Sequence, residues 1–293
     1  MAHKSGFVNI IGNPNVGKST IMNELVGEKL SIITSKAQTT RHRILGIVNG
    51  DDFQIVYSDT PGIIKPGYKL QESMMKFVRT ALTDADILLY VTDTVEDFKK
   101  NENFLKKVKG TTAPIFLLIN KIDLTDEKAL NALVDKWRDI LPSATIFPVS
   151  ALKRFNLNTV FDHILDKLPE GPPYFPKDAL TDKTERFFTE EIIREKIFIN
   201  YKKEIPYAVE VKVESFKESE KIIRIYALIY VERESQKGII IGHKGQSLKK
   251  VGTLARKEIE VFFNKKVFLE LFVKISKDWR GKDLTLKRFG YKY

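Results

Sequence analysis

Gly12-Asn13-Pro14-Asn15-Val16-Gly17-Lys18-Ser19 has the spacing G-x-x-x-x-G-K-S, the pattern of a loop that cradles the phosphates of a nucleoside triphosphate. Gly12 lets the backbone turn where a side chain would clash. Successive N–H groups then point inward, toward negative charge. Gly17 opens a helix whose N-terminus favours an anion, with Thr20 one turn position further on. Lys18 can reach the β- and γ-phosphates, and the Ser19 hydroxyl can ligate Mg²⁺. The apolar run Phe7-Val8-Asn9-Ile10-Ile11 reads as a buried strand before the loop, and Thr20 to Val26 as a helix after it. The loop alone does not separate ATP from GTP.

Three further stretches sharpen the chemistry. Asp59-Thr60-Pro61-Gly62 follows a strand end; Asp59 can hold the Mg²⁺ water shell, and Gly62 leaves its N–H free to meet a γ-phosphate. Asn120-Lys121-Ile122-Asp123 ends a second apolar run. The Asp123 carboxylate can accept from guanine N1–H and N2, donors that adenine lacks in that arrangement. Lys121 supplies a stem over the ring, and Asn120 can tie this loop to the phosphate loop. In Ser150-Ala151-Leu152, small residues let a backbone N–H reach the guanine O6. Alone, Asp59-Thr60-Pro61-Gly62 reads equally as an ordinary turn and Ser150-Ala151-Leu152 carries no signal; Asn120-Lys121-Ile122-Asp123 is the stretch that decides the base.

The elements that position them follow from hydrophobic pattern. Ile44–Val48 and Phe53–Tyr57 flank Asn49-Gly50, a hairpin signal. Ile87–Val91 and Ile115–Ile119 are continuous apolar runs between helical patterns, as in a parallel sheet buried on both faces. A helix over Glu127–Ile140 and a short strand over Thr145–Pro148 complete the first module.

Together these motifs resemble a small GTPase G domain over roughly residues 6–168. The resemblance implies a doubly wound, mostly parallel P-loop sheet with GTP or GDP and Mg²⁺ at the strands' carboxyl ends. It implies a Mg²⁺-binding Thr in the loop before the hairpin; Thr39-Thr40-Arg41 is the candidate, with Thr40 favoured over Thr39. It assigns residues 28–43 as switch I and 62–70 as switch II. Lys18, Thr40 and Gly62 are the expected catalytic set. Many relatives place Gln where this chain has Ile63, so slow intrinsic turnover is expected. Asn15 resembles the P-loop Asn that holds an activating K⁺ in related GTPases; the other reading is that it braces the loop.

The chain has 293 residues, no cysteine, and a formal charge of +11 with a pI near 9.4. Absence of cysteine excludes disulfides and thiolate chemistry and fits a reducing compartment. No signal-peptide run or membrane-spanning stretch is expected. Residues 1–170 carry 22 Lys+Arg against 20 Asp+Glu, an excess of +2; residues 171–293 carry 27 against 18, an excess of +9. A near-neutral enzyme module joined to a basic one points to nucleic acid or an anionic membrane as partner.

Leu168-Pro169-Glu170-Gly171-Pro172-Pro173 begins a Pro-rich break, read as an extended linker over 169–184 between domains 1–168 and 185–293. Beyond it the expected order is α-β-β-α-α-β, with strands over Tyr207–Phe216, Ile222–Val231 and Val267–Ile275. Gly242-His243-Lys244-Gly245 lies between the two central helices, after Ile239-Ile240-Ile241 and before Ser247, Lys249 and Lys250. Its glycines allow a nucleic-acid backbone to approach main-chain N–H groups, and Lys244 adds charge. This resembles an α+β type II KH domain, which clamps single-stranded RNA. The RNA-binding set is Ile241, Gly242, His243, Lys244, Gly245, Ser247, Lys249 and Lys250. His243 reads either as a base contact or as a solvent-facing loop residue. In the tail, Lys277, Arg280, Lys282, Lys287, Arg288 and Lys292 interleave with Trp279, Phe289 and Tyr291. Those aromatics read either as stacking groups or as packing.

A G domain, a Pro-rich break and a type II KH domain in this order resemble the Era GTPases of ribosome assembly. The resemblance implies binding near the 3′ end of 16S ribosomal RNA, action in maturation of the small (30S) subunit, and peripheral contact with an anionic membrane; no DNA partner is expected. It implies a switch in which GTP orders Thr40 and Gly62, RNA is bound, and hydrolysis releases it. Two alternatives stay open on the residues alone: a GTP switch for a protein or membrane partner, with the KH-like unit as a docking scaffold, and a metabolic ATPase or kinase.

Overall fold

The computed structural model of the chain describes residues 2–96 and 102–291; Lys292 lies outside them. The chain divides into two compact units, Met1–Pro66 with Gln71–Asp182, and Gly67–Leu70 with Lys183–Tyr293.

The first unit holds β1 (Lys4–Gly12), α1 (Lys18–Val26), β2 (Ile44–Asn49), β3 (Phe53–Asp59), β4 (Ile87–Asp93), α3 (Glu102–Lys109), β5 (Ile115–Asn120), α4 (Glu127–Ile140), β6 (Thr145–Pro148) and α5 (Leu157–Lys167). Helix α2 spans Lys69–Thr83. The sheet order is β2-β3-β1-β4-β5-β6, parallel except for the antiparallel β2–β3 hairpin. Strands β4 and β5 are buried along their whole length, as expected for strands with helices on both faces. The order reverses around β1, so its carboxyl end opens at the crevice where doubly wound sheets bind ligands.

Residues 169–182 are tied to this unit instead of hanging free. The Gln54 side chain, fully buried, donates to the Phe175 carbonyl and accepts from the Tyr174 and Phe175 N–H groups. Thr181 Oγ1 donates to Leu45 O, and Ile47 N donates to Leu180 O. The strap therefore covers the edge strand β2, whose backbone would otherwise be open to pairing.

The second unit holds α6 (Glu185–Asn200), α7 (Ile205–Ala208), β7 (Glu210–Glu218), β8 (Ile222–Val231), α8 (Glu234–Ile241), α9 (Gln246–Phe263), β9 (Lys266–Ile275) and α10 (Asp283–Arg288). The sheet order is β7-β8-β9, with β7 antiparallel and β9 parallel to β8. Val211, Ile223, Ile225, Ala227 and Ile229 pack against Ile193, Ile197, Val251, Ala255 and Ile259 of the helices. Thr184 caps α6 through its side chain, a contact of the kind that contributes about 1 kcal/mol. The expected start of the unit's first strand at Tyr207 is corrected: Ile205–Ala208 forms a helical turn with Pro206 at its start, where the ring's fixed φ suits a helix, and β7 begins at Glu210.

Among the described residues no helix is long and apolar enough to cross a membrane. The tail aromatics are packed: Trp279, Phe289 and Tyr291 are 0, 1 and 3% exposed. Trp279 Nε1 donates to Ala208 O, and the Tyr291 hydroxyl donates to Glu210.

Candidate functional site

The loop between β1 and α1 closes over a cavity of about 420 Å³, lined by Asn15, Gly17, Lys18, Ser19, Thr40, Gly62 and residues of the 32–39 loop. Two glycines are sterically required. A Cβ at Gly12 would lie 2.1 Å from Val91 O, and one at Gly17, where φ is 99°, would lie 2.2 Å from Asn120 Nδ2. Lys18 is 6% exposed and donates to Asn13 O at 2.8 Å. Burial pulls its pKa down to about 8, against the raising effect of Asp59 and Glu96.

Ser19, Thr40 and Asp59 converge although they come from α1, the following loop and the end of β3. Ser19 Oγ donates to Asp59 Oδ2 at 2.6 Å and lies 3.0 Å from Thr40 Oγ1, which is 3.3 Å from Asp59 Oδ2. Asp59 is fully buried, and its Oδ1 has no hydrogen-bond partner. Burial pushes its pKa up, opposed by Lys18 and by hydrogen bonds from Ser19, Ser31 and Thr40. Three hard oxygens and an orphaned buried carboxylate atom fit a Mg²⁺ ion, which prefers such donors. Thr39 is placed elsewhere, bonded to Thr34 Oγ1 and Lys36 O.

Thr60 Oγ1 donates to Ile10 O, which fixes the turn after β3. A Cβ at Gly62 would meet Pro14 at 2.8 Å, and Ile63 N donates to Gly12 O. The Ile63 side chain is 3% exposed and packs in the core with Ile11, Met75 and Val78. It fills space and can orient no water. Asn15 adopts φ 67° and its Nδ2 donates to Ser35 O, a bond from the phosphate loop to the loop that follows α1.

Asn120 joins three loops. It is 3% exposed, donates to Val16 O at 2.8 Å and accepts from Ala151 N at 3.0 Å. Lys121 Nζ donates to Asn15 O at 2.7 Å and to Asp93 Oδ2 at 2.6 Å. Ser150 Oγ donates to Asp123 Oδ1, turning that carboxylate toward the same edge, while Leu152 is 76% exposed at its rim. Sequence reasoning passed over Asp93, Ser31 and Glu96. Asp93 had a readable signal: it ends β4, next to the strand that carries Asn120.

In the second unit, α8 ends at Gly242 (φ 70°), Lys244 adopts φ 49°, and α9 starts after Gly245. A Cβ at Gly242 would lie 2.2 Å from Ser247 Oγ, whereas nothing lies within 4 Å of one at Gly245. His243, Lys244, Lys249 and Lys250 are exposed; Ile241 and Ser247 are half-buried. Beside this turn runs a groove of about 340 Å³ between α9 and β9, floored by Leu248, Leu269 and Leu271 and edged by Lys249 and Arg256. Arg256, unlike the two lysines, was not singled out by the sequence pattern.

Residues 7–121 match the family model described as 50S ribosome-binding GTPase, and residues 204–280 match the KH domain model. The chain is 44% identical to the GTPase Era of Staphylococcus haemolyticus over 291 residues, covering 99% of this chain and 97% of that protein. Two solved structures align with TM-scores of 0.94 at 40% identity, over 99% of this chain and 100% of theirs. One is Era in complex with MgGDPNP and nucleotides 1506–1542 of 16S ribosomal RNA. The other is an Aquifex aeolicus Era variant bound to GDP and AlF₄⁻. With likeness of this extent along both units, the chain belongs to the Era family of GTPases.

Proposed function

We propose that this protein is a GTP-hydrolysing switch that binds the 3′ region of 16S ribosomal RNA and acts in maturation of the small ribosomal subunit. The observation that carries the proposal is the Asn120 junction, which holds the phosphate loop, the Asp123 loop and the Ala151 loop as one guanine-nucleotide site. Lys18 and the inward-facing N–H groups of residues 13–18 bind the phosphates. Ser19, Thr40 and Asp59 hold Mg²⁺, which when bound neutralises charge on the β- and γ-phosphates. Thr40 brings the switch I loop to the metal, and Gly62 N–H is the switch II donor to the γ-phosphate. Asp123 reads the base, with Ser150 orienting its carboxylate. Ile63 supplies no group for water activation, so turnover by the protein alone is slow. K⁺ held at Asn15 is one means of raising it; equal turnover in K⁺ and Na⁺ buffers would contradict that role.

In the second unit, the exposed Gly242–Gly245 turn and the Lys249 side of the groove hold a single-stranded RNA backbone. The relative crystallised with 16S RNA supports this choice of ligand. A cytoplasmic location, with peripheral contact to anionic membrane through the basic second unit, completes the proposal. The direct test is binding of a single-stranded 16S 3′-end oligonucleotide at several salt concentrations. Affinity should fall steeply with salt and be lost on combined Gly242→Asp and Lys244→Asp substitution. Salt-independent binding, or binding that survives both substitutions, would overturn the RNA assignment.

A further inference from the structure

Strand β9 has two unlike faces. Leu269 and Leu271 point into the groove beside α9, while Phe268 and Phe272, their alternates, are 38% and 52% exposed on the other side of the sheet. The register puts Phe268 beside Arg224, which faces Lys217, and puts Phe272 beside Leu228. Tyr226, 41% exposed, lies between them, opposite Glu270. Three aromatic rings are thus exposed on two adjacent strands, on the face turned away from the helices.

The same face is closed at its other end. Phe289 packs on Tyr230 with ring centroids 5.0 Å apart and the rings tilted by 47°, and Arg288 donates to the Tyr230 hydroxyl. The tail thus caps the row that contains Tyr230 and stops short of Tyr226. On the open part, Lys217, Arg224 and Lys266 at the strand positions stand against Glu270, while Glu214, toward the closed end, accepts from the Tyr230 hydroxyl and pairs with Arg288. Arg224 lies over the Phe268 ring at 5.7 Å. Aromatic faces interleaved with cations match stacked bases and a phosphate backbone. The excess of cations around the rings favours a polyanion over a protein partner.

We propose that this outer sheet face, centred on Arg224, Tyr226, Phe268 and Phe272, is a second single-stranded RNA surface that binds bases continuing past the groove. The inference rests on the reading of the groove as an RNA site. β9 is the edge strand of its sheet, so an RNA chain leaving the groove crosses one strand to reach the rings. The groove then holds about four nucleotides, the span a G-x-x-G turn clamps, and the outer face extends the footprint.

The test compares a short single-stranded RNA of about four nucleotides with one of about ten, by fluorescence anisotropy on the full chain. Wild-type protein is expected to bind the longer RNA about tenfold more tightly, and Phe268→Ala/Phe272→Ala or Arg224→Glu to remove that gain, with the short RNA bound as before. These side chains are exposed, and an unchanged Tm confirms the fold. Photo-crosslinking of the longer RNA to unsubstituted protein gives a second reading, with adducts expected at Arg224, Tyr226, Phe268 and Phe272 of the outer face. Binding of neither RNA overturns the groove reading and the platform with it. Binding of both, with no loss in the variants and adducts confined to residues 242–256, Leu269 and Leu271, overturns the platform alone. The same holds if the variants lose only binding to anionic vesicles or to a protein.

Discussion

Lys18, Asp59 and Asn120 are 6, 0 and 3% exposed, whereas His243, Lys244, Lys249 and Lys250 stand open to solvent. In the first unit the chemistry is carried by side chains that have given up water and are held by one another. A buried ammonium and a buried carboxylate are costly unless a ligand completes them, so the site is strongly biased toward a phosphate and a metal. In the second unit the turn offers backbone shape and exposed charge, with little buried. Nucleotide recognition should therefore be sensitive to single atoms, and RNA recognition to backbone geometry and salt.

The largest effect should come from Lys18. Lys18→Ala is expected to lower the GTP turnover number on the order of 10²–10³-fold, the range for loss of one transition-state donor, measured as phosphate release at saturating nucleotide. Next, Asn120→Ala strands Val16 O and Ala151 N, buried groups that each cost about 1–3 kcal/mol when left unpaired. Displacement of a fluorescent GDP should show affinity at least about tenfold weaker, with a lower Tm. Third, Gly242→Val forces a side chain onto Ser247 and should weaken single-stranded RNA binding about tenfold, while the exposed His243→Ala costs under about threefold. An equal loss in both variants would show that side-chain chemistry decides the second site as it does the first.

The smallest effect is in pH. Lys18, at about 8 without ligand against an ordinary 10.5, sheds its proton as pH passes 8, yet a triphosphate needs the charged form. Nucleotide binding should take up protons above pH 8 and weaken there by less than about tenfold per pH unit. Calorimetry in two buffers of different ionisation enthalpy measures the uptake. By the same sign, the unliganded first unit should gain stability as pH rises from about 8 toward 10.5, because the cost of burying the ammonium is relieved. Proton release in place of uptake would mean that Asp59, shifted upward, dominates the site.

Much of the proposed nucleotide site was legible because its residues lie at strand ends, and strand ends follow from apolar runs such as Ile115–Ile119. Thr40 over Thr39 came from resemblance, and the hydroxyl geometry places Thr40 beside Asp59. Asp93 and Ser31 were missed because each acts through a neighbour brought close only by the sheet or the loop closure. The tail stayed open between two readings for a different reason. Basic and aromatic residues alternate there whether the rings stack on bases or fill the space beside Tyr230, and only burial separates the two. The strap over 169–182 shows the same limit: its prolines indicate extended chain, but the Gln54 contacts that fix it arise from a residue far away in sequence.

The central claim is that one chain uses a guanine-nucleotide site to govern an RNA site. It is tested most directly by the affinity for a 16S 3′-end oligonucleotide, measured on the same preparation loaded with a non-hydrolysable GTP analogue or with GDP. The account predicts tighter binding in the analogue form by at least about fivefold, a coupling near 1 kcal/mol. Equal affinity in the two forms, with both nucleotides shown to be bound, would contradict it.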